Sequence, residues 1–343
     1  MLRNHIFWIC THIHLASTVN VETAQLGTKK INEKDTADIQ QVMKKWEGMA
    51  AADGIEAVVR AMKAHPSNAD VQHYGCRTLI NIAFDNIDNI VRVARAGGIE
   101  TVVGAMKAHP SNADVQHQGC MALGNIAGNA DSQVLVASAG GIEAVVGAMK
   151  AHPSNAEVQQ CGCGALGNIV GNANNRVLVA RAGGIEAVVG AMKAHPSNAD
   201  VQHQGCMALT NIAGNAHDKV LVAKAGGIEA VVRAMKAHPS NANVRYRVCW
   251  ALMSTTVTTD NQMLVARAGG VEAVLGAMKA HPSNADVQYC GCGALVNIGW
   301  SSAEIRERIV KAGGKDMAMQ AQSLHRFHSG VQEMCKELLQ KLM

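Results

Sequence analysis

Apolar side chains fall on helical spacing through most of the chain, and polar punctuation interrupts them at regular intervals. In Ile142 to Ala151 the apolar positions are Ile142, Val145, Val146 and Met149, the i, i+3, i+4, i+7 stripe of a helix with one buried face. A shorter apolar stretch, Val134 to Ala139, precedes it and stops at Gly140-Gly141, where a glycine can take the left-handed conformation that closes a helix. Pro153 prevents the second helix from continuing. A third and longer helix is then expected from Ser154 to about Asn168–Val170, with Ser154 and Glu157 spaced as a capping box. Asp70, Asp114, Asp200 and Asp286 take the acidic place in other copies. Lys150 and His152 stand at the end of the second helix, where positive charge suits the exposed carbonyls.

This three-helix pattern repeats. His-Pro-Ser-Asn-Ala begins at His65, His109, His152, His195, His238 and His281, and all 6 prolines lie in it. The period is 43 residues, with one 44-residue step, in the range of armadillo and HEAT repeats rather than ankyrin or tetratricopeptide units. One such unit cannot bury its own apolar face, so neighbours must stack into a continuous core.

Composition narrows the function classes. Hydrophobic residues make up 48% and aromatics 3%, a mixture suited to close-packed helices and poor in nucleobase-stacking platforms. Net charge is +4, too mild for a nucleic-acid footprint. Six of the 10 cysteines, Cys76, Cys120, Cys163, Cys206, Cys249 and Cys292, share one position of the repeat. Equivalent helices in a stack lie about 8–10 Å apart, so these six are expected to be reduced core residues that do not pair along it. A reducing, cytoplasmic setting follows, with the nucleus as the other option. No run of 18 apolar residues exists to span a membrane. The segment from Ile6 to Ala16 resembles a signal-peptide apolar region, but His12 and His14 interrupt it.

The strings Gly-Gly-Ile-Glu-Ala-Val-Val, Ser-Asn-Ala-Glu-Val-Gln, Ala-Leu-x-Asn-Ile and Val-Leu-Val-Ala-x-Ala-Gly-Gly together resemble the armadillo repeat, over about residues 36–343. The resemblance implies an all-α fold, a right-handed α-solenoid of about seven three-helix repeats whose third helices line a concave, peptide-binding groove. Residues 1–35 have no repeat match and are expected to be poorly ordered. Residues 36–53 are expected to supply the first helix of the first unit, and about 302–343 a C-terminal cap. No linker or second domain is evident.

Peptide-binding armadillo proteins clamp ligand backbone with an asparagine near the end of the third helix, and here Asn81, Asn125, Asn168, Asn211 and Asn297 match it, with Ser254 in the fifth copy. A side-chain amide offers both a donor and an acceptor, so each could hold the N–H and C=O of an extended ligand residue. Each could equally close a helix end or bond a neighbouring repeat's backbone. Four residues earlier, where nuclear-import receptors keep tryptophan, only Trp250 remains, which disfavours a nuclear-signal receptor. One turn further back stand His73, His117, Gln160, His203, Tyr246 and Tyr289, either a row of partner contacts or a solvated helix edge. Tyr246 and Trp250, with Arg245 and Arg247 beside them, are the strongest candidates for an interface hot spot; the alternative is one degenerate repeat.

No catalytic constellation stands out. The His-Cys pairs at i, i+3 and the Cys-x-Cys pairs Cys161/Cys163 and Cys290/Cys292 offer two metal ligands per copy, where zinc wants four. The reading is a non-catalytic scaffold for extended peptide segments of other proteins. No cofactor, metal, nucleic acid or small-molecule substrate is implied. A regulatory armadillo region tied to a kinase or other enzyme is the alternative. A vacuolar-type membrane tether is a weaker one, because position 2 is Leu and Cys10 is the only candidate for acylation.

Overall fold

Each repeat is framed by side chains that satisfy the ends of its helices. A computed structural model of the protein describes residue 41, residues 51–84 and residues 86–343. Every regular element among them is a helix. The third helices start on asparagine: Asn68, Asn112, Asn155, Asn198, Asn241 and Asn284 each accept the N–H three residues ahead, Val158 N in the case of Asn155. The cap is therefore Asn155 and not Ser154, and the Ser/Glu capping box expected from the sequence does not form. The glutamate and aspartates still lie in the first turn, where the helix dipole favours negative charge. First helices are also longer than their apolar run suggested. In the third copy the first helix is Ala130–Ser138, capped by Asn129, and so begins before Val134.

The Gly-Gly pair divides two tasks. Gly140 has φ 81°, the left-handed turn between the first and second helices. At Gly141 a Cβ would lie 2.6 Å from Val136 Cγ1 and 2.8 Å from the Val136 carbonyl oxygen, so only glycine lets the two helices approach. The second helix Gly141–Ala151 then buries its predicted stripe, Ile142, Val145, Val146 and Met149, each at most 3% exposed.

Two further devices hold the end of each second helix. Gln72, Gln116, Gln202 and Gln288 each donate Nε2 to two carbonyls there, those of Met62 and His65 in the first copy at 3.0 and 2.8 Å. These bonds satisfy carbonyls that a helix end would otherwise leave orphaned. Three His-Pro histidines reach back one repeat: His109, His195 and His238 donate Nε2–H to the Pro66, Pro153 and Pro196 carbonyls at 2.8–2.9 Å. His325, at the matching place in the terminal repeat, does the same to Pro282 at 2.8 Å, whereas His281 Nε2 is buried with no partner among the described residues. The histidine thus acts as a tie between repeats, whereas the sequence reading assigned it to the helix dipole.

The chain is an all-α solenoid of such repeats, and its packing resolves into two compact units, one ending at Ala151 and the other His152–Met343. In the first unit the third helices Ala69–Ala83 and Ala113–Ile126 pack side by side. In the second, Ala156–Ile169, Ala199–Ile212, Ala242–Thr255, Ala285–Ile298 and Ser329–Lys341 pack each against the next. The last of these pairs with Gly314–Leu324 to form the expected terminal helical pair. The first helix expected over 36–53 and the segment 1–35 lie outside the described residues, apart from residue 41 and the start of the helix Ala51–Ala64, which already contains Asp53.

Candidate functional site

The second unit brings the predicted row together most fully. On consecutive third helices, Asn211 donates Nδ2 to the Gly167 carbonyl at 2.9 Å, and Asn297 donates to the Met253 carbonyl at 2.7 Å. Each acceptor is the residue before the matching position, Asn168 or Ser254, of the preceding third helix. The amide nitrogen is therefore committed to a neighbouring repeat, which was one of the two alternatives, while Oδ1 accepts from no donor among the described residues. Asn211 is exposed; Asn168 and Asn297 are half-buried.

Beside the asparagines lies a cluster built on Ala242–Thr255. Arg247 donates Nε–H to His203 Nε2 of the preceding third helix at 2.9 Å. Its guanidinium carbon sits over the Tyr246 ring, 5.2 Å from the centroid. Tyr246 and Trp250 are tilted neighbours, with ring centroids 6.3 Å apart and planes at 51°. On the next repeat Tyr289 packs its ring edge against Gly330, where an ideal Cβ would come within 3.3 Å. All five side chains are half-buried.

Electrostatics fix one protonation state. Burial first and the Arg247 charge second push the His203 pKa down to about 4. The ring is neutral near pH 7, with Nε2 accepting from Arg247 and the proton on Nδ1. The Tyr246 phenol is raised, chiefly by burial, with Cys290, Asp286 and Tyr289 adding and Arg247 opposing.

Arg245 does not belong to this cluster, against the sequence expectation. It is 7% exposed and turns beneath the helix, donating Nε–H to the His238 carbonyl at 3.2 Å. It fills the place that glutamine holds in the other copies. Glycine recurs one step past Arg247 in the other full copies, and the fifth copy has Val248 there, fully buried.

The first unit presents a plainer face. Asn81 is exposed on Ala69–Ala83, with His73 half-buried and its ring edge-on to Tyr74 at 4.6 Å. His73 Nδ1 and Asn125 Nδ2 are buried with no hydrogen-bond partner among the described residues. His117 stands half-buried on Ala113–Ile126 with Met121 and Asn125.

The recurring cysteines are buried thiols. Burial pushes Cys76, Cys206 and Cys249 up to about 12, which keeps them protonated and inert. Cys335 continues the recurring position one 43-residue period after Cys292, and its Sγ lies 3.6 Å from Cys292 Sγ as a separate thiol. Among the described residues no three His, Cys, Asp or Glu side chains are grouped to hold a metal ion. No single helix among them is long and apolar enough to cross a membrane.

The glutamine row, the asparagine caps and the His–Pro ties escaped the sequence reading. Their signal was the fixed offset of Gln from the preceding His, seven residues in every full copy that has it.

The sequence pattern of the LRRK2 ARM repeat family matches residues 82–298. Among curated proteins none matches this chain. Solved structures similar in fold include an engineered protein, 25% identical with a TM-score of 0.64, covering 71% of this chain and 98% of its own. A designed armadillo repeat protein is similar at 18% identity and a TM-score of 0.63, covering 71% and 100%. Another, crystallised with the peptide (KR)4, is similar at 18% identity and a TM-score of 0.62, covering 71% and 99%. With the family pattern spanning most of the repeats, and the fold shared with designed armadillo proteins, the chain belongs to the LRRK2 ARM repeat family.

Proposed function

We propose that this protein is a non-catalytic scaffold that holds extended peptide segments of partner proteins along the face of its third helices. The observation that carries this reading is the pinned amide of Asn211 and Asn297. With Nδ2 committed to the preceding helix, the side chain is fixed, and Oδ1 is held ready to accept a ligand backbone N–H. A fixed acceptor loses little side-chain entropy on binding. Half-buried Tyr246 and Trp250 on the third helix between those of Asn211 and Asn297, and Tyr289 on that of Asn297, add the residue type that most often carries interface energy. Further support comes from a designed armadillo protein of similar fold that binds the peptide (KR)4. Asn168 extends the same row within the second unit, with His203 beside it, and Asn81 and Asn125, with His73 and His117, hold the matching helical positions in the first unit. The buried thiols suit a reducing compartment, and we place the protein in the cytoplasm.

Selection of a random dodecapeptide library on the intact chain tests the reading. Enriched peptides should lose binding to a chain carrying Asn168→Ala, Asn211→Ala and Asn297→Ala, with helicity by circular dichroism unchanged. Equal binding to the folded triple variant would remove the asparagines from the ligand site.

A further inference from the structure

Five of the six full repeats place an acid in the first turn of the third helix: Asp70, Asp114, Glu157, Asp200 and Asp286. The fifth has no acid in that helix and two arginines, Arg245 and Arg247. Arg245 is consumed as a helix-end cap. Arg247 is not. Its Nε is bonded to a neutral acceptor, His203, and among the described residues no carboxylate lies within ion-pair distance of it, although Arg176, Arg308 and Lys311 each have one. The cation is thus oriented, half-buried and uncompensated. Its Nε is occupied and the two terminal nitrogens remain, which form the fork that takes a carboxylate through two parallel hydrogen bonds. The Tyr246 ring under the guanidinium holds its plane.

We propose that Arg247 is an anion subsite that receives an aspartate or glutamate side chain of the bound peptide, in a frame made by His203, Tyr246 and Trp250. This deepens the scaffold reading and rests on it. His203 serves as a positioning residue: its ring accepts from Nε and leaves the fork facing the peptide. Its pKa, held down to about 4 by burial and by Arg247, keeps that acceptor in place at neutral pH. Asp286, on the next third helix, is a negative charge close enough to the cluster to raise the Tyr246 phenol, yet it makes no ion pair with Arg247.

The test uses the same dodecapeptide library, selected in parallel on the intact chain and on Arg247→Gln. The intact chain should enrich one position for Asp or Glu. A Glu→Gln change there should weaken binding to the intact chain about tenfold and leave binding to R247Q unchanged. Arg247→Lys, which keeps the charge without the fork, should recover only part of the preference, and Asp286→Asn should tighten binding of the acidic peptide about threefold. Circular dichroism confirms that each variant is folded. Enriched peptides without an acidic position, or an equal Glu→Gln penalty on R247Q, would overturn the subsite and leave the groove standing. Enrichment of phosphoserine over glutamate when both are synthesised at that position would overturn the carboxylate assignment. No enrichment of any peptide would sink the groove and the subsite together.

Discussion

The third helices of the fourth and fifth repeats, Ala199–Ile212 and Ala242–Thr255, share a frame and differ in nearly everything they show to solvent. Both are capped by asparagine, Asn198 and Asn241. Both bury a valine, a cysteine, an alanine and a leucine at matching places: Val201, Cys206, Ala208 and Leu209 against Val244, Cys249, Ala251 and Leu252. On the other side, His203, Met207 and Asn211 become Tyr246, Trp250 and Ser254, and the buried Gln204 becomes the half-buried Arg247. The repeat therefore separates two kinds of position. Those that face its neighbours' cores are held by packing, and those on the open face vary without disturbing it.

The frame should break alike in both repeats. A Cβ at Gly184 would lie 2.5 Å from Val179 Cγ1 and 3.0 Å from the Val179 carbonyl, and one at Gly227 would lie 2.6 and 2.8 Å from the same atoms of Val222. The obstacle is partly backbone, which cannot turn aside. Gly184→Ala and Gly227→Ala should each cost about 3 kcal/mol, read as a shift in the urea midpoint at unchanged slope. A large difference between the two would mean that the repeats do not share one frame.

The open faces should differ in their response to acid. His203 titrates at about 4 in the folded chain against an ordinary imidazole value of 6.5. Between those values the unfolded chain binds a proton that the folded chain refuses. Stability contributed by neutral His203 is therefore present above pH 6.5 and is lost as pH falls toward 4. The loss should be about 2 kcal/mol once partial solvent screening is allowed for. His203→Gln, which keeps an acceptor for Arg247 without a titrating group, should flatten the pH dependence over that window. Tyr246 stands at the same helical position in the next repeat, and its raised phenol offers no charge change there.

Much of this organisation was legible in the sequence because the repeat displays it six times. The helical periods, the Gly-Gly turn, the buried cysteine position and the row of groove candidates all follow from spacing and residue type. What stayed hidden was the partner of each polar side chain. Ser154 with Glu157 reads as a capping box, yet Asn155 makes the cap, because both residues are good caps and only the backbone turn decides between them. The amide of Asn211 can face a ligand or a neighbour, and the choice depends on how closely the next helix approaches. At Gly167 that approach is close: a Cβ there would meet Ala208 Cα at 3.3 Å, which places the Gly167 carbonyl within reach of Asn211. Arg245 and Arg247 are indistinguishable by type, and the direction each takes is set by a two-residue step along a helix.

That pair gives the finest test of the comparison. Gln202 donates to the Met192 and His195 carbonyls, both at 2.8 Å, whereas Arg245 donates to the His238 carbonyl alone, at 3.2 Å. Burial also works against the guanidinium charge and lowers its pKa, with Cys249 opposing weakly. Arg245→Gln restores the side chain that can reach both carbonyls and removes a buried charge, so it should stabilise the chain by about 1 kcal/mol. The reciprocal Gln202→Arg should cost about as much in the fourth repeat. Because Arg245 turns under the helix, R245Q should leave peptide affinity unchanged, while R247Q changes affinity and acidic preference with little effect on the urea midpoint. Loss of peptide binding in R245Q would instead mean that both arginines supply the field at the open face, and that the fifth repeat gave up a better cap for it.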